Sequence, residues 1–411
     1  MTKSFCVAGV EWNSWHDKCR LAVLPTRPLR VLDEQQCSLT LTSERFRLSI
    51  APLRDAEFEA PMIRHSFLLI LLTALSIAGT TSTAAAWESF GPPLTLSQRV
   101  AQSDTVVFGE CLNSVEPATK GGVRDGRFRI LHVAKTSEAI EKGKIVVAAG
   151  VGNWKVGEHA MLTLFKKQSE DFWKVSLVIS RACFDYALAA PNPEQDAEKR
   201  APYFLRHLNS SDKQISDDAF EELERAPLPA IIASAKLIPR EFVGARLQDE
   251  TTDESHVGLY GRMLGLAGNV SDRKLLRGLI ENAPREEDSW RFGFDGITSG
   301  YLLLAGEDGL DWIDENLLKE MSPETPFWRT YASMQAIRFV WRYGEGRISR
   351  PRLRESMRLL LDDPRLADLA INDLARWEDW SLHDRLLAMM HNPEFDEIWF
   401  KRPIIRYMVS S

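Results

Sequence analysis

From Trp87 to about Pro191, apolar and polar residues alternate in short segments that are separated by glycine-containing turns. The alternation is clearest in residues 127–133, where a period of two is typical of a strand with one buried face. Five such segments in about 90 residues predict a small β-barrel. The predicted strands are 105–109, 127–133, 144–148, 160–165 and 172–179, and a short helix is predicted at 94–102.

From about residue 196 to Ser411, the apolar spacing changes to that of helices. Leu353, Met357, Leu360 and Leu361 stand at i, i+4, i+7 and i+8, and therefore share one helical face. The chain is thus predicted to be a multidomain β + α protein, with a barrel module at 87–195 and an all-α domain at 196–411. The predicted helices are 201–208, 216–226, 229–237, 256–266, 273–281, 288–304, 311–320, 327–343, 351–361, 365–377 and 381–390.

A repeat of 38 residues runs through the helical half. Three predicted helices end at Gly268, Gly306 and Gly344, and a glycine just after a helix favours a left-handed C-cap. Paired helices at a period near ~40 residues are typical of helical solenoids. The segment resembles an array of about five HEAT-type units, and the alternative is an irregular helical bundle.

The barrel region resembles a second family. Residues 103–110 (Ser-Asp-Thr-Val-Val-Phe-Gly-Glu) and 157–162 (Gly-Glu-His-Ala-Met-Leu) are similar to strands of netrin-like or metalloproteinase-inhibitor-like modules. The resemblance covers about 90 residues and implies an OB-like β-barrel. The inhibitors of that family chelate a protease zinc through an N-terminal cysteine. No cysteine lies near Trp87, the expected mature N-terminus, so that activity is not carried over.

The most apolar segment of the chain, residues 67–78, is too short for a membrane-spanning helix. With Arg64 before it and three alanines at 84–86 after it, the segment is typical of a secretory signal. Residues 62–86 are therefore predicted as a signal peptide cleaved between Ala86 and Trp87. Residues 1–61 then form an unstructured extension that precedes the true start at Met62. The alternative is a cytoplasmic segment ahead of an uncleaved membrane anchor.

Cysteine usage agrees with export to an oxidising compartment. Three of the five cysteines precede Met62, which leaves Cys111 and Cys183 in the mature chain. A pair of this kind is a candidate for one disulfide, and the alternative is two buried thiols that pack as small apolar residues. The expected location is secreted or periplasmic, with no stable membrane span once the signal is cleaved.

Composition and motifs exclude several classes of function but do not identify a reaction. The 411 residues carry a net charge of −7, which gives no general attraction to nucleic acid. The chain lacks the HExxH and CxxC spacings of zinc sites, the G-x-S-x-G elbow of hydrolases and the phosphate-binding P-loop. No catalytic residue, metal ligand or cofactor is assigned from the sequence.

One cluster of charge interrupts the acidic helical half. Residues 196–411 contain 29 basic and 38 acidic side chains, yet seven arginines fall within 338–358. Because a guanidinium binds carboxylate or phosphate through two hydrogen bonds, the cluster is a candidate patch for an anionic partner. The alternative is a solvated helix pair in which some arginines meet Asp362 and Asp363. The seven residues are Arg338, Arg342, Arg347, Arg350, Arg352, Arg354 and Arg358.

These features predict an exported, non-enzymatic scaffold that binds protein rather than nucleic acid. The alternative is an extracytoplasmic, hydrolase-like enzyme whose catalytic residues form no recognisable motif.

Overall fold

The computed structural model describes residues 93–115, 123–136, 139–166, 171–284, 292–319, 325–393 and 398–411. The predicted extension at 1–61, the signal peptide at 62–86 and the cleavage site between Ala86 and Trp87 lie outside these ranges. The segment Leu94–Ser411 forms one compact unit.

The five strands are β1 (Thr105–Val115), β2 (Arg124–Lys135), β3 (Ile145–Gly150), β4 (His159–Lys166) and β5 (Asp171–Val178). They close into a barrel in the order β1-β2-β3-β5-β4, with β4 paired to β1. All neighbours are antiparallel except β3 and β5, which run parallel. In β2 the first seven residues alternate between buried and exposed, as the sequence pattern predicts.

The barrel interior is filled by side chains from all five strands and by one tryptophan from the loop after β3. Trp154 is 2% exposed, and its ring centroid lies 6.2 Å from that of Phe128. The Arg124 guanidinium lies 5.7 Å from the centroid of the Trp154 ring. The interior is therefore a packed core of its own rather than an open channel.

Helices make up the remainder of the described chain, so the predicted β-then-all-α fold class is confirmed. Among the helices of the described ranges, none is long and apolar enough to cross a membrane. The first seven are α1 (Leu96–Gln102), α2 (Arg181–Ala189), α3 (Ala197–His207), α4 (Lys213–Glu224), α5 (Leu228–Ala233), α6 (Arg240–Arg246) and α7 (Glu254–Ala267). The others are α8 (Val270–Glu281), α9 (Phe294–Ile313), α10 (Phe327–Tyr343), α11 (Arg350–Leu359), α12 (Ala367–Arg376), α13 (His383–Met389) and α14 (Ile398–Ser410).

The barrel and the helices share apolar surface. Val106, Phe108 and Met161 of the barrel belong to the same buried cluster as the helical residues, while the barrel interior is a separate cluster. The strands end at Val178, and α2 begins at Arg181, where the Ser180 hydroxyl accepts a hydrogen bond from the Cys183 N–H. Helical structure thus begins before the boundary at 195 that the sequence predicts.

Each glycine of the predicted repeat marks the end of a helical segment, and one of the three has the predicted positive φ. Helix α7 ends just before Gly268 and α10 just before Gly344, and both glycines have negative φ, −79° and −77°. Gly306 has φ 62° and non-helical backbone, and it divides α9 into two helical segments where the sequence predicts one helix to end before the next begins. The prediction of left-handed C-caps is therefore wrong at Gly268 and Gly344.

A different set of glycines joins two helices. We call this set the glycine seam, and it places α7 directly against α9. A Cβ at Gly261 would lie 2.6 Å from the Ile297 nitrogen, so the two backbones touch with no room for a side chain. The six glycines of the seam are Gly258, Gly261 and Gly265 on α7, and Gly293, Gly296 and Gly300 at the start of α9.

Candidate functional site

The seven arginines predicted as a patch lie on α10, on the turn that follows it and on α11. In the turn between the two helices, Glu345 and Gly346 both have positive φ, 51° and 78°. The structure separates the seven into an internal group of four and an exposed group of three.

Arg338, Arg352, Arg354 and Arg358 make contacts inside the array. Their partners differ from the Asp362 and Asp363 that the sequence suggests. Arg338 donates to Asp373 at 2.5 Å, Arg352 to Asp311 and Asp314 at 2.6 Å, and Arg358 to both Asp379 oxygens at 2.7 and 2.8 Å. The Arg354 guanidinium donates to the Trp377 carbonyl.

These four arginines hold neighbouring helices together and are not available as a patch. Asp373 is 4% exposed, and burial raises the pKa of its carboxyl, an effect that Arg338 opposes. Burial likewise raises the pKa of Asp314, against hydrogen bonds from Ser356 and Arg352. A buried carboxylate is tolerated only with a partner, so removing Arg338 or Arg352 would take away the cation that binds Asp373 or Asp314.

Arg342, Arg347 and Arg350 are exposed, and we call these three residues the arginine corner. The Arg350 guanidinium lies 5.0 Å from the centroid of the Trp341 ring, which stacks on Trp377 at 4.1 Å and 8°. Arg342 lies 5.1 Å from the Tyr343 centroid. One Arg347 nitrogen donates to the Leu303 carbonyl at 3.2 Å. The corner therefore presents cations that aromatic and backbone contacts already orient.

A buried pair of acids forms the second polar cluster. Asp218 and Glu222 stand one turn apart on α4 and bind the N-terminus of α1. Glu222 accepts hydrogen bonds from the Thr95 hydroxyl at 2.6 Å and from Ser97, and its other oxygen accepts from Arg200. We call Asp218 and Glu222, with the groups that donate to them, the α1 clamp.

Both carboxylate oxygens of Asp218 also accept hydrogen bonds. One accepts from the Leu96 N–H at 2.7 Å and the other from the Tyr186 hydroxyl at 2.9 Å. Burial raises the pKa of Asp218 to about 6 despite these hydrogen bonds, and Glu222 and Glu221 nearby add to the shift. All four carboxylate oxygens of Asp218 and Glu222 therefore accept hydrogen bonds from described groups. These contacts give the α1 clamp a structural role, which is to hold α1 against α4.

We expect Asp218→Asn to change how stability depends on pH. Since the folded-state pKa lies above the ordinary 3.8, Asp218 favours folding most below pH 4 and loses that contribution as pH rises through 6. The shift corresponds to about 3 kcal/mol. Asparagine keeps an acceptor for the Leu96 N–H but carries no charge. The free energy of unfolding, measured by chemical denaturation, should rise for the variant relative to the wild type between pH 4 and pH 7. A difference in unfolding free energy that does not change with pH would contradict this prediction.

Cys111 and Cys183 are buried free thiols, and the structure contains no bond between them. Cys111 lies in the barrel core, where its thiol donates to the Asn113 carbonyl, and Cys183 lies in the helical cluster. Burial raises the pKa of Cys183 to about 12 and also raises that of Cys111. The structure therefore has the two buried thiols and not the candidate disulfide. Both thiols are protonated at neutral pH.

Within the described ranges, no three His, Cys, Asp or Glu side chains are grouped so as to hold a metal ion. No known protein family, curated protein or solved structure matches the chain.

Proposed function

We propose that the protein is an exported, non-enzymatic scaffold that binds an acidic partner protein through the arginine corner. In this proposal the barrel is a netrin-like module, the helices are a HEAT-type array, and the location is secreted or periplasmic. The observation that carries the proposal is the exposure of Arg342, Arg347 and Arg350 beside a stacked pair of indole rings.

The charge around the corner supports an acidic partner. The helical half has a net charge of −9, so an acidic protein is repelled by most of this surface and attracted where arginines are exposed. Arg350 is already held over Trp341, so less conformational entropy is lost when its guanidinium binds a carboxylate. The corner therefore favours one orientation of the partner.

A recurring contact between helices supports the repeat interpretation. Arg240 binds Asp272, Arg262 binds Asp295 and Arg338 binds Asp373. The partners are separated by 32, 33 and 35 residues, which is close to one helical repeat. Ion pairs at nearly constant separation are expected when similar helix pairs stack in sequence.

Export is proposed from residues 62–86 alone, whose order of basic residue, apolar segment and small residues is that of a secretory signal. The native protein should then begin at Trp87.

A single capture experiment tests the proposal. The full chain with a C-terminal tag is expressed in its native host and recovered from the extracytoplasmic fraction, where N-terminal sequencing should read Trp87. We expect a partner protein to co-purify. Its amount should fall at least tenfold when Arg342, Arg347 and Arg350 are replaced with alanine. A tenfold loss corresponds to about 1.4 kcal/mol.

The matched control removes the same charge elsewhere. Lys213, Lys236 and Lys274 are exposed on the helical half, and replacing all three with alanine should leave the partner bound. Equal capture by the two triple variants would contradict the role of the corner. An N-terminus upstream of Met62 would contradict export by a cleaved signal.

A further inference from the structure

Helix α14 is packed against the rest of the protein by one face. The Tyr407 hydroxyl accepts a hydrogen bond from the Leu382 N–H at 3.1 Å and donates one to the Asp379 carbonyl. The Tyr407 ring centroid lies 5.2 Å from that of Trp380. Because these contacts fix the rotation of the helix, they also determine which of its residues point to solvent. The residues on the packed face are Phe400, Pro403, Ile404 and Tyr407.

The opposite face of α14 carries exposed apolar side chains. Ile405 is 51% exposed and Val409 is 81% exposed, and Ile398 and Trp399 are each 56% exposed. Within the described part of residues 196–411, seven large apolar side chains are exposed, so more than half of them lie on this one helix. Apolar residues scattered singly over a surface are ordinary, whereas a group of neighbours marks a binding surface.

Two arginines share this face. Ile398, Arg402, Ile405 and Val409 stand at i, i+4, i+7 and i+11, which places them in one line along the helix. Arg402 and Arg406 are both exposed, and neither forms an ion pair with a described residue. The exposed side of the helix therefore combines aliphatic side chains with unpaired cations. We call it the α14 face, which consists of Ile398, Trp399, Arg402, Ile405, Arg406 and Val409.

The charge of α14 is opposite to that of the helical half as a whole. Residues 398–411 contain Lys401, Arg402 and Arg406 and no aspartate or glutamate, whereas residues 196–411 have a net charge of −9. Three acids precede the helix in the sequence, at 394, 396 and 397, and they lie outside the described residues. Arg402 and Arg406 stand in the second and third turns, so these turns attract an anionic surface.

We propose that the α14 face binds peripherally to an anionic phospholipid surface, with the helix parallel to the membrane plane. Amphipathic helices bind in this way when aliphatic and aromatic side chains are accompanied by cations. Ile398, Ile405 and Val409 enter the boundary between headgroups and acyl chains. The indole of Trp399, which has an apolar body and one N–H, lies at the level of the headgroups. Because α14 is already folded and packed, binding requires no helix formation at the membrane.

The position of Arg402 favours lipid over a partner helix. A helix packed along the line of Ile398, Ile405 and Val409 would bury the Arg402 guanidinium between apolar side chains, which is costly without an acid opposite it. At a lipid surface, the arginine stem lies beside the aliphatic side chains while the guanidinium binds phosphate oxygens. A second copy of the chain would bring its own Arg402 and Arg406 against the first pair, and like charges repel.

Cosedimentation with vesicles of equal parts phosphatidylglycerol and phosphatidylcholine tests the proposal. We expect the protein to bind these vesicles about tenfold or more tightly than vesicles of phosphatidylcholine alone, and the binding to weaken with salt. Ile405→Gln with Val409→Gln should weaken binding by about tenfold or more, because it removes apolar side chains from the lipid boundary. Arg402→Glu with Arg406→Glu should weaken binding to anionic vesicles to a similar extent.

Two forms of the chain are compared, because the apolar segment 67–78 can bind lipid by itself. One is the full chain, in which each variant is measured against the wild type so that the contribution of this segment cancels. The other is residues 87–411, which retain the whole compact unit Leu94–Ser411 and omit the apolar segment. Both α14 variants should lose binding in both forms.

Matched controls carry the same changes elsewhere. Val151→Gln with Val270→Gln replaces two valines that are 72% and 73% exposed, and Lys236→Glu with Lys274→Glu reverses two exposed cations of the helical half. Both control variants should bind vesicles as the wild type does. All the substituted side chains are exposed, so every variant should keep the melting temperature of the wild type. If one α14 variant lowers that temperature, the other decides.

Several results would overturn the proposal. They are absence of binding of residues 87–411 to anionic vesicles, equal binding to neutral vesicles, insensitivity to both α14 variants, and an equal loss in the controls. A dimer that Ile405→Gln with Val409→Gln dissociates would show instead that a second copy covers the α14 face. The alanine triple at the arginine corner should leave vesicle binding unchanged, so this proposal and the proposed function fail separately.

Discussion

Replacing Gly261 with alanine is expected to destabilise the protein by about 3 kcal/mol, because the glycine seam has no space for a methyl group. A Cβ there would lie 2.6 Å from the Ile297 nitrogen and 2.8 Å from the Gly296 carbonyl carbon. Both are backbone atoms, so the contact can be relieved only by moving α7 away from α9. Chemical denaturation followed by circular dichroism measures the loss.

The control is the same substitution on the intervening helix. Gly278 lies inside α8, and a Cβ built on it would have no described atom within 4 Å apart from its chain neighbours and the backbone of its own helix. Gly278→Ala should therefore stabilise the protein by about 0.5–1 kcal/mol, through the better helix propensity of alanine. Similar effects of the two substitutions would show that the seam is not a close backbone contact.

Replacing Glu222 with alanine is expected to cost about 3–5 kcal/mol. The Glu222 side chain is 3% exposed and that of Arg200 is 16% exposed, so the substitution leaves a largely buried guanidinium without its partner. The hydroxyls of Thr95 and Ser97 lose their acceptor in the same step. A lowered unfolding midpoint should be accompanied by easier proteolysis near α1, the helix that the clamp secures.

Asp217 provides the comparison on the same helix. Its side chain is half exposed and binds Lys213 at 2.5 Å, one turn away. Exposed pairs of this kind contribute little, so Asp217→Ala should change stability by about 0.5 kcal/mol or less. If Glu222→Ala were equally mild, α1 would not depend on the clamp.

Local patterning predicted the barrel well, because one buried face imposes a period of two on each strand. It predicted the helical half less completely. Helix α14 was not predicted, since Pro403 falls inside it and proline disfavours a helix interior. Helix α2 follows β5 almost directly and is short, so its residues were assigned to the barrel region.

The contacts of the candidate site could not be predicted from local pattern. Arginine enrichment on α10 and α11 is visible in the sequence, but Asp373 and Asp379 become partners only through helix stacking. The α1 clamp joins residues 122 and 127 positions apart. The glycine seam did carry a signal, since the same spacing of three glycines occurs at 258–265 and again at 293–300.

The α1 clamp also determines the order in which the chain can reach its final structure during synthesis. Helix α1 precedes every strand of the barrel, yet the acids that bind its N-terminus are synthesised more than 120 residues later. An isolated helix of seven residues is too short to be stable in water. Helix α1 is thus synthesised before the barrel strands but acquires the contacts that hold its N-terminus only after α4 has been synthesised.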